Sequence, residues 1–206
     1  MGLDITALIV DWAHLEGLPV DEREEALTDA AYPDDDDGTI EEGWVWLPPA
    51  TPAWCARYEF AGTAGSFKPH FWTGNRWEDF REYLQADLRM ALDTFLAGLT
   101  WDLPDTDRGP QHEGGPEHWY DGLLVYCPPR DIPALAQAWA IAGLWLEELR
   151  EPFDTHAAAP GRWAGTFEEF IRVLHGWAEA VGEAHQRGWG LGRVSGRDQQ
   201  SRDDPL

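Results

Sequence analysis

The stretch LDITALIVDW, residues 3–12, limits the fold more than any other. In an extended chain Ile5, Ala7 and Ile9 fall on one side, and Leu8 and Val10 on the other. Both sides are apolar, so this strand needs a layer over each face of its sheet. It reads as a central, doubly covered strand, and the rest of the chain has to supply the two layers.

Helical spacing supplies them. Asp21, with Glu24 three residues on, reads as a capping box; Ala26, Leu27, Ala30 and Ala31 line the apolar side, and Pro33 stops the helix. Asn75 and Glu78 predict a second box, leading into a continuous stripe of Trp77, Phe80, Leu84, Leu88, Leu92, Phe95 and Leu99, with Gly98 near its end. Asp131 opens a third helix that runs to about Glu151 and ends at Pro152. Thr166 and Glu169 open a fourth, with Phe170, Leu174, Trp177, Val181 and Ala184 on one face and Gly188 as its stop.

The strands are shorter. Residues 44–47 form one, closed by Pro48 and Pro49. Residues 54–60 alternate, with Trp54, Ala56, Tyr58 and Phe60 on one side and Cys55, Arg57 and Glu59 on the other. The turn AGTAGS suggests that residues 66–72 return as an antiparallel hairpin, placing Glu59 opposite Lys68 and Arg57 opposite His70. Pro69 would keep that hairpin at an edge. Residues 123–127 form the last strand and share the buried centre with the first. The expected fold is therefore α/β (or α+β): one domain over residues 1–192, with a mixed sheet of about four to five strands, an antiparallel edge hairpin and three to four helices. The polar segment from about Arg193 to Leu206 is expected to be a disordered tail.

Composition narrows the function. The 206 residues, 43% of them hydrophobic, can bury a full core. No apolar run nears the roughly 20 residues that span a bilayer. The first residues lack a basic region and include Asp4 and Asp11, so no signal peptide is read and a cytoplasmic location is expected. A net charge of −23 argues against nucleic-acid and anionic-membrane partners. The two cysteines, Cys55 and Cys127, sit in strands and read as core residues, and no Cys-x-x-Cys zinc pattern exists. The run PDDDDG, residues 33–38, has Pro33 and Trp44 where a calcium loop needs acids, so it reads as a solvated loop.

Four groups carry candidate chemistry. His112, Glu113, Glu117 and His118 lie in a long Gly/Pro loop, residues 102–121; they are a metal or acid–base site or else a polar loop, since Gly114, Gly115 and Pro116 rule out a zinc-binding helix. The polar hairpin face gathers Arg57, Lys68, His70 and Arg76 beside Trp72 and Trp77, a pocket for an anionic or planar ligand or else a solvated face. His175, Glu179 and Glu183 recur every four residues, as a metal site would or as an exposed ion-pair row with Arg187. Asp11 and His14 stand at the carboxyl end of the first strand, where ligands bind in open α/β sheets and where turn and cap residues also occur. Most of the thirteen tryptophans read as core, with Trp44 and Trp46 as residues that can flank a pocket or interface.

No phosphate loop, dinucleotide fingerprint or serine-hydrolase elbow is present. The leading reading is a non-catalytic cytosolic binding protein. Its acidic stretch, residues 16–42 with Arg23 as the single base, would meet a basic partner, in the manner of an inhibitor or immunity protein. The alternative is a small enzyme or ligand binder. There the hairpin face would hold an anion and His112 or His118 would move protons or hold a divalent metal, the one cofactor considered.

Overall fold

The computed structural model describes residues 5–31, 42–47, 53–63, 65–66, 68–97 and 123–195. The first strand, β1 (Ile5–Val10), lies at the centre of the sheet, as its two apolar sides require. Short helices α1 (Trp12–Glu16) and α2 (Arg23–Ala31) follow it, then strands β2 (Gly43–Leu47) and β3 (Cys55–Glu59). Two helices come next, α3 (Lys68–Phe80) and α4 (Ala86–Ala97), and then β4 (Leu123–Cys127). The chain ends its described course with α5 (Ile132–Ala142), α6 (Arg150–His156), α7 (Phe167–Arg187) and β5 (Gly190–Ser195).

The sheet order is β2-β3-β1-β5-β4, and every neighbouring pair is antiparallel. The α/β class holds, but the sheet is antiparallel rather than mixed. Both faces are covered. Ala7, Ile9, Ala56, Tyr58 and Phe60 pack under α3 to α7, in a core that includes Phe80, Phe153, Phe170 and Trp177. Leu8, Val10 and Cys55 face the other way, towards Leu15 of α1 and Leu27 of α2.

The hairpin return does not form. Residues 68–80 are helix α3, and β3 pairs instead with β1 and β2, placing Trp44 opposite Tyr58 and Trp46 opposite Ala56. Alternation over residues 66–72 is too short to separate strand from helix. Over the longer span, Pro69, His70, Thr73, Arg76, Trp77 and Phe80 all bury at helical spacing, and Pro69 sits in the first turn, where its missing N–H costs nothing. Asn75 therefore lies inside α3, where its Nδ2 donates to the Phe71 carbonyl at 3.0 Å, rather than at a cap.

Three helix boundaries also differ from expectation. The stripe expected to run unbroken past Phe80 is interrupted by a 3-10 turn, Arg81–Tyr83, and an extended Leu84. Asp21 falls in the 3-10 turn Val20–Glu22, and α2 starts only at Arg23. The helix after Asp131 ends at Ala142, and Pro152 lies in the first turn of α6 instead of closing a helix. Helix α7 matches its reading: Thr166 and Glu169 form the reciprocal capping box, and Gly188 closes it at φ 68°.

The centre of the sheet is shared differently from the expectation. Residues 123–127 form β4 at an edge, and β5 lies between it and β1. β5 runs to Ser195, so the expected tail from Arg193 begins as sheet. Its glycines hide it from an apolar-pattern reading. Gly190 is required, because a Cβ there would collide with the Trp12 ring and the Cys127 carbonyl.

Candidate functional site

Forming α3 in place of a hairpin strand takes the leading sequence-derived site apart. Arg57 shares the α1–α2 face of the sheet with its cross-strand partners Leu8 and Val45. It is buried, and its Nε meets Glu59 Oε1 at 3.1 Å. His70 lies on the opposite side, 1% exposed. Its Nδ1 accepts a hydrogen bond from Trp177 Nε1 at 3.2 Å, and its ring stands edge-on to Phe60. Nδ1 is therefore the unprotonated nitrogen. Lys68 is exposed at the start of α3. Arg76 lies over the Trp72 ring at 5.1 Å and reaches Asp79 at 3.5 Å. The fold therefore brings Arg76 and Trp72 together and places Arg57 and His70 on opposite faces of the sheet.

His112, Glu113, Glu117 and His118 lie outside the described residues. Among the described residues no group of three or more His, Cys, Asp or Glu is placed to hold a metal ion. Asp11 caps α1, its Oδ1 accepting from Ala13 N at 3.1 Å and His14 N at 3.4 Å, and His14 stacks on Trp54. The strand-end aspartate thus acts as a helix cap. Cys55 and Cys127 are buried thiols in no disulfide among the described residues, and burial pushes both up to about 12, with Asp131 adding to the effect at Cys127. A thiol so protonated is a poor nucleophile at neutral pH.

The side chains that do converge come from two features that looked separate in sequence. Strand β2 presents Trp44 and Trp46 two residues apart, hence on one face, with their rings stacked at 5.7 Å. Helix α7 presents Glu179 and Glu183 one turn apart. In the fold these surfaces meet. Trp44 Nε1 donates to Glu179 Oε1 at 3.1 Å, and the Tyr58 hydroxyl donates to Glu179 Oε2 at 2.8 Å. Burial, then the Glu179 hydrogen bond and charge, push the Tyr58 hydroxyl well above the usual tyrosine range. Tyr58 therefore stays a neutral donor.

One turn on, Arg187 Nε donates to Glu183 Oε1 at 2.6 Å. Its guanidinium lies over the Trp46 ring at 4.0 Å and over Trp189 at 5.2 Å. Gly188, in the left-handed region, turns the chain so that Trp189 comes back beside Arg187. Indole faces and carboxylates together form an environment for positive charge. The expected row of His175, Glu179 and Glu183 is divided: His175 stands edge-on to Trp139, Glu179 ties α7 to β2 and β3, and Glu183 forms the ordinary ion pair with Arg187. Trp44, Trp46, Glu179 and Glu183 stand out in the sequence as candidates; Tyr58 and Trp189 do not. The paired tryptophans two apart and glutamates four apart were the available signals. Their meeting across 135 residues of chain was not.

Compared with known proteins, the chain matches no family model, no curated protein and no solved structure.

Proposed function

We propose that this is a non-catalytic binding protein whose acidic surface receives a basic partner. The observation that supports it most is how the charges are used. Most of the described arginines are engaged by the protein itself: Arg57 by Glu59, Arg76 by Asp79, Arg81 by Asp93 and Glu78, Arg89 by Glu82, Arg130 by Asp131, Arg150 by Glu147 and Glu168, and Arg187 by Glu183. Arg23, the one base of the acidic stretch, is drawn to the carbonyls of Leu18 at 3.0 Å and Glu16 at 2.9 Å. Meanwhile Glu16, Asp21, Glu22 and Glu25 are exposed and form no ion pair among the described residues. The excess negative charge therefore faces outward around α1 and α2.

Such a surface speeds encounter with a basic protein and orients it on arrival. Covering a basic partner in this way is what an inhibitor- or immunity-like role requires. The two buried thiols, in no disulfide among the described residues, suit a reducing compartment such as the cytoplasm.

Calorimetric titration with an oligolysine peptide at low and high salt tests the reading, with an oligoglutamate peptide as control. Binding of oligolysine that weakens steeply with salt is expected. No binding, or an affinity indifferent to salt, would sink the proposal.

A further inference from the structure

We propose that Trp46, Trp189 and Glu183 form a receptor for an arginine side chain of that partner, and that Arg187 occupies it in the free protein as a built-in stand-in. The inference rests on the basic-partner reading above and names the group that is received.

The occupant is Arg187 itself. The Arg187 guanidinium lies 4.0 Å from the Trp46 centroid and 5.2 Å from that of Trp189, and its Nε is held by Glu183. The two indoles meet edge-to-face at 6.3 Å, so they form two walls rather than a flat stack. A guanidinium matches such walls better than an ammonium, because its plane stacks on a ring while its edge donates to a carboxylate. Trp44 backs Trp46, and Glu179 holds Trp44 through its indole N–H, so the wall is supported from behind.

The stand-in is placed to leave. Arg187 is the last residue of α7, directly before Gly188, and its side chain is 40% exposed. β2 has only β3 as a sheet neighbour among the described strands, so Trp46 stands on an edge strand. An incoming arginine would inherit the same two ring faces and the same carboxylate, with no new residue required.

The test removes the stand-in. Arg187→Ala is titrated calorimetrically with an oligoarginine peptide and an oligolysine peptide of equal length. Arg162→Ala, at an exposed arginine elsewhere, controls for the charge lost. Arg187→Ala should bind oligoarginine about tenfold tighter than the unaltered protein does, with a smaller gain for oligolysine. Arg162→Ala should give little of that gain. Adding Trp46→Phe, which keeps a ring in the wall, should remove much of it, and Trp46→Ala should remove the rest.

No gain in Arg187→Ala, a gain matched by Arg162→Ala, or a gain that survives Trp46→Ala would overturn the cage. If the unaltered protein binds oligolysine in a salt-dependent way while Arg187→Ala gains nothing, the cage alone fails. If oligolysine is not bound but Arg187→Ala still takes up oligoarginine, the general acidic-surface reading fails and the cage stands.

Discussion

On the α7 side of the sheet, rings fill the space: Phe80 meets Phe153 and Phe170 at 5.6 and 5.5 Å, and Phe60 meets His70 and Trp177. On the α1–α2 side the cover is two short helices contributing Leu15 and Leu27 over Leu8, Val10 and Cys55, with the Arg57–Glu59 pair buried beside them. The difference follows from strand period. Tyr58 and Phe60 point to one face of β3, so Arg57 and Glu59 must point to the other. Once that second face is covered, the two charges are buried together and have to neutralise each other. The ring-filled face draws its stability from packing. The thin face tolerates charge inside and presents acid outside.

Core truncation probes that contrast most strongly. Phe80→Ala on the ring side should cost towards the upper end of about 3–5 kcal/mol, and Leu27→Ala on the thin side towards the lower end of about 2–5 kcal/mol, by chemical denaturation. Equal losses would erase the distinction between the faces.

Next in size, Arg57→Met should cost about 3 kcal/mol, because it removes the buried positive charge that meets Glu59. Arg57→Met combined with Glu59→Leu should recover most of that loss. A double variant as unstable as the single one would mean that the thin face needs the ion pair itself.

The smallest effect sharpens the boundary between the ring side and the cage. Tyr58→Phe removes the bond to Glu179 and should cost about 1 kcal/mol. Because folding raises the Tyr58 hydroxyl above its usual 10.0, the linked stability is fully present below that pH and declines as pH rises above it. Absorbance titration of the tyrosinate band should therefore show a tyrosine that ionises late in the native protein. That late step should vanish in Tyr58→Phe. Unchanged alkaline stability and an unchanged titration in the variant would argue that Glu179 does not hold Tyr58 in solution.

Local chemistry was legible where a short stretch settles its own structure. The double-sided run of residues 5–10 is the central strand, and Thr166 with Glu169 caps α7 by reciprocal bonds that need only four residues. It was not legible where a neighbour decides. Residues 66–72 alternate as a strand does, yet the core takes His70, Thr73 and Trp77 at helical spacing. Gly190 and Gly192 make β5 look like a tail, yet the Trp12 ring needs the first of these glycines. The same limit applied to the candidate sites. Arg57 and His70 were grouped by a register that does not form, and lie on opposite faces of the sheet.

The sequence by itself determined the α/β class, the central strand, the α7 helix with both its ends, and the acidity, because these depend on periodicity, caps and composition within one stretch. Only the tertiary structure decided which strands pair, that the sheet is antiparallel, and that Trp46, Trp189 and Glu183 close around Arg187. The physical reason is that pairing and packing are won by whichever distant surface buries more and leaves fewer polar groups unmet. No single stretch carries that comparison in its own pattern.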